Sequence, residues 1–223
     1  MNLRFFWSFL LVCICSSAQA ISADDAADLF AQATKRIVDA NQLTVQAVID
    51  LPVLGKKNVT AYYEGDNIRV DYPDGKLFFF HDHLYDYNAK DNQLTIGENN
   101  RNAMYIPLAM PLRLSKKDDN DDNNAGVVTK KGKDFFELDG LRVDFSVKGD
   151  EVMYTIKPDK KVSLTLTLNV RTRSFVRYKI KYGLLVSISA SYRRIAFSCP
   201  SGITTYRSSD YPGAKVVKAP AKK

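Results

Sequence analysis

The sequence predicts a mainly β protein with some α-helix (α+β), in which a single curved antiparallel sheet or incomplete β-barrel of about 11 strands wraps around an N-terminal helix beneath a short helical lid. Three observations predict it. Apolar and polar residues alternate through most of the chain, turn residues recur every eight to twelve positions, and one stretch alone has a clear helical period.

That helical stretch spans about residues 23 to 40. Ser22 is a candidate N-cap with Asp25 three residues later, as in a capping box. Apolar residues then recur every three or four positions, at Ala26, Leu29, Phe30, Ala33, Ile37 and Ala40. This spacing predicts one amphipathic helix with its apolar side on a core.

In most of the remaining chain, apolar and polar residues alternate with a period of two. In the first strand, Leu43, Val45, Ala47, Ile49 and Leu51 share one face. Later runs repeat the pattern at 141–147, 152–156, 162–168, 176–180 and 184–190, separated by turn signals such as Gly65-Asp66, Asp139-Gly140 and Gly149-Asp150. Such spacing predicts an antiparallel meander with one apolar face.

Two segments interrupt this meander. Residues 102–114, with Pro107 and Pro111, are apolar but broken, which favours short helical turns over a strand. Residues 118–124 are acidic, yet they lack the glycine and terminal glutamate of a calcium-binding loop, so we expect a surface loop.

The first 20 residues are typical of a cleaved secretory signal, with Arg4, an apolar stretch and Ala18-Gln19-Ala20 at the exit. Val12 and Ile14 precede the cysteines of this segment, which argues against a lipoprotein signal. Removing 20 of the 223 residues leaves 203, enough for one domain. We expect a domain at 21–205, a C-terminal extension with a basic tail at 206–223, and a periplasmic location.

The net charge is +7, falling to about +6 without Arg4. We interpret this mild excess as a solvated basic face and expect no nucleic-acid partner, although an acidic partner such as a membrane surface stays open. Cys199 is the single cysteine outside the signal, so no internal disulfide can form.

An apolar face of this width has to be buried or has to enclose a ligand. One helix and the broken segment at 102–114, which we call the flap, are too small to cover this face. We therefore predict a cavity for an acyl chain or another hydrophobic ligand. The alternative is that the helix and the flap fill the interior completely. The predicted cavity and lid residues are Leu29, Val45, Ala47, Ile49, Ile68, Val70, Phe78, Phe80, Met104, Leu108, Met110, Leu112, Leu164, Leu166, Ile180 and Ile188.

The only histidines, His81 and His83, flank Asp82 in a position where a turn is required. On a strand they would share a face, but a zinc site needs further ligands and no other histidine exists. We therefore expect no metal, no cofactor and no catalytic residue. In front of them, residues 77–80 are apolar on both faces: either Leu77 and Phe79 or Phe78 and Phe80 line the cavity. The other pair then packs under the flap, the C-terminal tail or a partner.

The order of signal, helix, long first strand, "VTAYYEGDNIRVDYPDG", aromatic hairpins, a proline-broken segment and a late "FSCPSG" resembles the LolA and LolB superfamily of lipoprotein carriers. The resemblance implies an apolar cavity that shields lipoprotein acyl chains in the periplasm, with membrane-associated donor and acceptor proteins as partners. It also points to Arg69 as a lid lock. The sequence departs from the pattern where Val70, not proline, follows Arg69, and in having no tryptophan beyond Trp7.

The leading hypothesis is a monomeric, non-enzymatic carrier or binding protein that works by lid opening. Two alternatives stay open: an envelope-stress or envelope-biogenesis module that binds a protein partner, and a metal-dependent hydrolase built around His81 and His83.

Overall fold

The computed structural model of the protein describes residues 21–98, 128–138, 140–158, 160–183 and 186–219. The predicted signal at 1–20, the broken segment at 102–114 and the acidic loop at 118–124 lie outside these residues. None of the helices among the described residues is long and apolar enough to cross a membrane.

Helix α1 spans Ala23–Val38 and is capped as the sequence predicts. The Ser22 hydroxyl accepts a hydrogen bond from the Asp25 backbone amide at 3.1 Å and donates one to the Asp25 carboxylate at 2.6 Å. Asp24 and Asp25 in the first turn, with Lys35 and Arg36 in the last, complement the helix dipole. Five of the six predicted apolar residues form its buried side, Ala26, Leu29, Phe30, Ala33 and Ile37, together with Ala27. The sixth, Ala40, lies beyond the end of the helix at Val38.

Fourteen strands follow along the described chain and form one sheet. They are β1 (Gln42–Leu51), β2 (Gly55–Glu64), β3 (Asn67–Tyr72), β4 (Gly75–Phe80), β5 (His83–Asn88), β6 (Gln93–Glu98), β7 (Val128–Lys131), β8 (Phe135–Leu138), β9 (Leu141–Lys148), β10 (Glu151–Ile156), β11 (Val162–Asn169), β12 (Ser174–Tyr182), β13 (Val186–Ala196) and β14 (Lys215–Lys218).

The strand order is β14-β6-β5-β4-β3-β2-β1-β13-β12-β11-β10-β9-β8-β7. Neighbours are antiparallel hairpins except at two places: β1 pairs with the distant β13 in the centre, and β14 runs parallel to β6 at one edge. The sheet is open and curved, which confirms the predicted fold class.

The strand count exceeds the predicted number of about 11. The difference arises from four-residue strands such as β7, β8 and β14, which are too short to display a reliable two-residue period.

The two faces of the sheet differ in composition. One face, which we call the concave face, carries the alternate apolar residues and packs with α1 in a single core that includes Val45, Ala61, Val70, Leu166 and Ile188. The other, the convex face, carries the intervening residues. The alternation thus sorts the side chains between faces as the sequence predicts.

Candidate functional site

The concave face is apolar across the middle of the sheet, from β1 to β4 on one side and from β8 to β13 on the other. Eight residues of the predicted cavity set lie in its buried core: Leu29, Val45, Ala47, Ile49, Ile68, Val70, Leu166 and Ile188. Leu164 and Ile180 are partly buried against that core. These ten residues therefore lie on the apolar side of the sheet and helix, as predicted. Their role as ligand contacts stays a prediction. Met104, Leu108, Met110 and Leu112 lie outside the described residues.

Helix α1 covers one part of this face through an aromatic cluster. The ring of Phe30 lies 4.9 Å from that of Tyr154, 6.1 Å from that of Phe136 and 6.5 Å from that of Phe175, which places it over β8, β10 and β12. The Tyr154 hydroxyl donates to the Ala26 carbonyl at 2.8 Å. Burial raises the pKa of Tyr154, so this hydroxyl stays protonated and holds the helix in place.

Two further tyrosines, Tyr178 and Tyr192, bring polar atoms into the middle of the concave face. Tyr178 and Tyr192 stack with ring centroids 6.3 Å apart on β12 and β13. The Tyr192 hydroxyl is buried and has no hydrogen-bond partner among the described residues. Burial raises its pKa well above the usual value, with Tyr178 and Tyr63 nearby adding to the effect. A buried protonated hydroxyl of this kind is able to donate to a carbonyl oxygen of a bound molecule.

A solvent-open pocket of about 520 Å³ lies at the C-terminal end of α1. The guanidinium of Arg36 sits 4.7 Å from the ring centre of Phe197 beside it. The pocket is lined by Arg36, Asp39, Ala40, Asn41, Gln42, Glu64, Gly65 and Phe197. The volume falls in the range of small-molecule sites, but its polar and open lining suits an apolar chain less well than the concave face does.

The convex face of β2 to β5 has its own aromatic row. Residues opposite one another on neighbouring strands are Tyr62 and Arg69, Arg69 and Phe78, and Phe78 and Tyr85. Phe78 is only 2% exposed, as buried as the core residues of the concave face. The outer residues of a half-buried strand are normally exposed to solvent. The burial of Phe78 therefore means that a second layer covers the aromatic row.

That layer is the C-terminal strap, residues 197–219. Tyr206 stacks on Tyr85 at 3.8 Å, and both Tyr206 and Tyr211 contact Phe78 edge-on at 5.8 and 6.2 Å. The strap then ends in β14, which pairs with β6. Of the three covers that the sequence left open for the second face, the described structure places the C-terminal segment there.

This arrangement corrects the assignment of Phe78 and Phe80 to the cavity face. Leu77 and Phe79 pack with the concave core, whereas Phe78 lies beneath the strap. Phe80, at the end of β4, contacts the ring of His81 at 4.1 Å. The alternation defines two pairs but does not say which pair faces the helix, because that depends on how β4 aligns with β3.

Polar contacts hold the start of the strap. Glu64 accepts hydrogen bonds from the Gly202 amide and the Thr204 hydroxyl, both at 3.0 Å, and Thr204 is fully buried. The Thr44 hydroxyl donates to the Ser198 carbonyl at 2.6 Å. These contacts cross more than 130 residues of chain, and the sequence analysis missed them because single polar residues carry no signal of a distant partner.

Arg69, the predicted lid lock, belongs to this second layer. Its guanidinium forms a two-pronged ion pair with Asp71 at 2.6 and 2.7 Å, and it donates to the Ile203 carbonyl at 3.3 Å. Desolvation lowers the pKa of Arg69, but the bonds to Asp71 outweigh it and raise the pKa overall. Among the described residues Arg69 therefore ties the sheet to the strap; its role in a lid stays a prediction.

The residues considered for chemistry are the two histidines and Cys199. His81 occupies the turn between β4 and β5 with a φ of 52°, and His83 begins β5. The described residues contain no group of three or more histidine, cysteine or acidic side chains able to hold a metal. Cys199 donates to the Tyr63 carbonyl at 3.4 Å, and burial, with Glu64 nearby, raises the pKa of its thiol. A raised pKa is the opposite of what activates a cysteine nucleophile.

Comparison with known proteins adds support at the level of the fold. No protein family matches the sequence, and no curated protein does. Among solved structures, an uncharacterized conserved protein from Thermus thermophilus is similar, with 9% identity and a TM-score of 0.51 over 87% of this chain and 99% of that chain. At such identity the match shows the fold alone.

Two further solved structures match less well. LprF from Mycobacterium bovis is 12% identical over 80% of this chain and 96% of its own, with a TM-score of 0.46. A LolA superfamily protein from Nitrosomonas europaea is 10% identical over 84% and 99%, with a TM-score of 0.37. The latter belongs to the superfamily that the sequence resembles, but at these TM-scores neither match carries an argument.

Proposed function

We propose that this protein is a non-enzymatic carrier or binding protein that holds an acyl chain or another hydrophobic ligand against the concave face. One observation carries the proposal. The concave face is apolar over most of a 14-stranded open sheet, and the aromatic contacts of α1, the one long helix among the described residues, lie with β8, β10 and β12. A face of this extent is typical of sites that enclose apolar ligands.

The expected contacts divide between two halves of the concave face. Val45, Ala47, Ile68 and Val70 would contact the ligand from β1 and β3 if it lies beside the helix. Leu164, Leu166, Ile180 and Ile188 would do so if the helix shifts away from β11 to β13. The segment at 102–114, with Met104, Leu108, Met110 and Leu112, is proposed as the lid that exchanges contacts with the sheet for contacts with the acyl chain.

The Tyr192 hydroxyl is the proposed polar contact in this apolar site. It is buried and has no partner in the part of the chain that the structure describes, and a lipid ester or amide carbonyl would supply an acceptor. The proposal has three further parts. The segment at 1–20 directs export into the periplasm, and residues 21–205 form the main domain. The protein transfers its ligand between membrane-associated donor and acceptor proteins.

The direct test is to purify the protein from the cell envelope, extract it with organic solvent and analyse the extract by mass spectrometry. We expect a co-purifying lipid or acylated molecule, and saturable binding of a fluorescent fatty acid that the extracted lipid displaces. Absence of both would refute the proposal.

Tyr192→Phe tests the polar contact. Removal of a buried, unpartnered hydroxyl should leave stability unchanged or slightly higher, while binding of an ester-containing fluorescent lipid should weaken roughly fivefold, as expected for one lost hydrogen bond. Tyr85→Phe, on the convex face, is the matched control and should bind as wild type does. Equal binding by wild type and Tyr192→Phe would exclude the hydroxyl as a contact without affecting the carrier proposal.

A further inference from the structure

The tip of the β1–β2 hairpin carries the most exposed large apolar side chains of the described residues. Val53 is 104% exposed and Leu54 is 60% exposed. Val53 also has a φ of 72°, a conformation that β-branched residues rarely adopt because of steric strain. Neither exposure nor strain helps folding, and strained residues collect at functional positions. The tip therefore presents two apolar side chains to something outside the chain.

Further apolar residues lie at the same end of the sheet, which we call the hairpin end: the end at which β1 finishes and β2 begins. Because β13 is antiparallel to β1, with Ser189 opposite Asp50, the start of β13 lies at this end. There Val186 pairs with Tyr182, the last residue of β12. Val186 is 41% and Tyr182 is 37% exposed.

Exposed lysines surround these apolar residues. The β10–β11 connection, residues 157–161, lies at the hairpin end because Tyr182 also pairs with Val162. It carries Lys157, Lys160 and Lys161, all exposed, and Lys181 on β12 and Lys56 on β2 are exposed as well. Among the described residues, Asp50, Asp74 and Asp91 also lie at this end, and the Asp74 carboxylate is 3.6 Å from the Lys57 ammonium. The hairpin end is thus basic overall.

Two apolar side chains on a narrow hairpin offer little area for a protein partner, since a stable interface buries about 800 Å² on each side. Lysine is moreover depleted in protein interfaces. A bilayer places no such demand on area: it accepts a few apolar side chains among its headgroups while nearby lysines are attracted to anionic lipid. Shape and charge together favour lipid over an acidic protein.

We propose that the hairpin end docks on an anionic lipid surface, with Val53 and Leu54 inserted among the headgroups and the lysines of β2, β12 and the β10–β11 connection lying against them. This orientation points the opposite end of β1, with the pocket beside Gln42 and Glu64, away from the membrane. Membrane docking of the hairpin end does not depend on a ligand at the concave face. The docking proposal and the carrier proposal can therefore be refuted independently.

The first experiment measures flotation with vesicles of phosphatidylcholine, with and without phosphatidylglycerol. We expect binding only with phosphatidylglycerol and weakening as salt rises. Val53→Asn combined with Leu54→Ser should reduce affinity roughly tenfold, because it removes both apolar side chains while asparagine tolerates the positive φ. The matched control is Val147→Ser, since Val147 is 36% exposed and lies beside the β9–β10 turn at the other end of the sheet; it should bind as wild type does.

The second experiment tests charge and insertion separately. Reversal of Lys160 and Lys161 to glutamate should reduce affinity about fivefold or more per lysine, whereas Lys148→Glu, on an exposed lysine at the other end of the sheet, should have a much smaller effect. Trp7 is the only tryptophan in the chain. In a Trp7→Phe background, Leu54→Trp should therefore report insertion through quenching by brominated lipid, and Val147→Trp should not.

Several results would overturn the proposal. They are a wild-type protein that fails to bind phosphatidylglycerol vesicles, tip variants that bind no worse than Val147→Ser, or a tryptophan at position 54 that is quenched no more than one at position 147. Lysine reversals that abolish binding to an acidic protein but not to vesicles would assign the surface to that protein instead.

Discussion

The convex face is built differently in the two halves of the same sheet. In β2 to β5 it carries Tyr62, Phe78 and Tyr85, covered by the C-terminal strap. In β11 to β13 it carries serines, threonines and basic residues, and among these Arg177 and Lys179 are exposed. In both halves, side chains along each strand point alternately to the concave and the convex face. Alternation alone thus tells which residues share a face, while the chemistry of the outer positions indicates whether that face is covered.

The largest expected difference between the halves is at Phe78. Phe78→Ala should lower the free energy of unfolding by roughly 3 to 5 kcal/mol, because it empties a buried site between β4 and the strap. Met153→Ala, on the outer side of β10 and 45% exposed, should change it by less than about 0.5 kcal/mol. Urea unfolding followed by circular dichroism measures both. Similar losses in the two variants would mean that the halves do not differ.

A smaller difference should separate two arginine–carboxylate pairs. Arg69 and Asp71 have side chains only 15% and 29% exposed, whereas Arg177 and Glu151 are 54% and 38% exposed. Arg69→Met should cost about 1 to 3 kcal/mol, because it leaves Asp71 and the Ile203 carbonyl without their donor in a partly dry site.

Arg177→Met should cost less than about 0.5 kcal/mol, because solvent and salt screen an exposed pair. Urea unfolding of both variants at low and high salt measures the gap. Adding salt should widen the difference between the two losses slightly, because ions screen the exposed pair more than the covered one. If Arg177→Met proved the more damaging of the two, the strap would not be shielding Arg69 from solvent.

The smallest effect concerns alkaline pH. Burial, modified by the neighbouring Arg69 and Asp210, raises the pKa of Tyr211 in the strap from 10.0 to about 12. Between these values the folded protein retains a proton that the unfolded chain releases, so stability should fall as pH rises from about 10 to about 12.

Tyr211→Phe should leave stability near neutral pH almost unchanged and make this alkaline decline shallower. It should not abolish the decline, because burial also raises the pKa of Tyr178 on the concave face to about 12. Urea unfolding at several pH values, with tyrosinate absorbance as a second signal, checks the slope. An unchanged slope would show that Tyr211 is not held in the strap at alkaline pH.

Much of the architecture could be predicted because it depends on residues close together in the chain. Ser22 and Asp25 mark the start of α1 within four residues, and the alternation from Leu43 to Leu51 defines the buried side of β1. Eight of the predicted cavity residues accordingly lie in the concave core. Whether they contact a ligand could not be predicted, because that depends on what lies opposite them.

Periods of two or about four residues are enough to predict one helix, a long run of antiparallel hairpins and the partition of side chains between two faces. Contacts between distant segments account for the pairing of β1 with β13, for the placement of Phe79 rather than Phe78 in the core, and for the strap over the second face. The physical reason is distance along the chain: Arg69 meets Ile203, and Tyr85 meets Tyr206, only after strands more than 100 residues apart have been brought together.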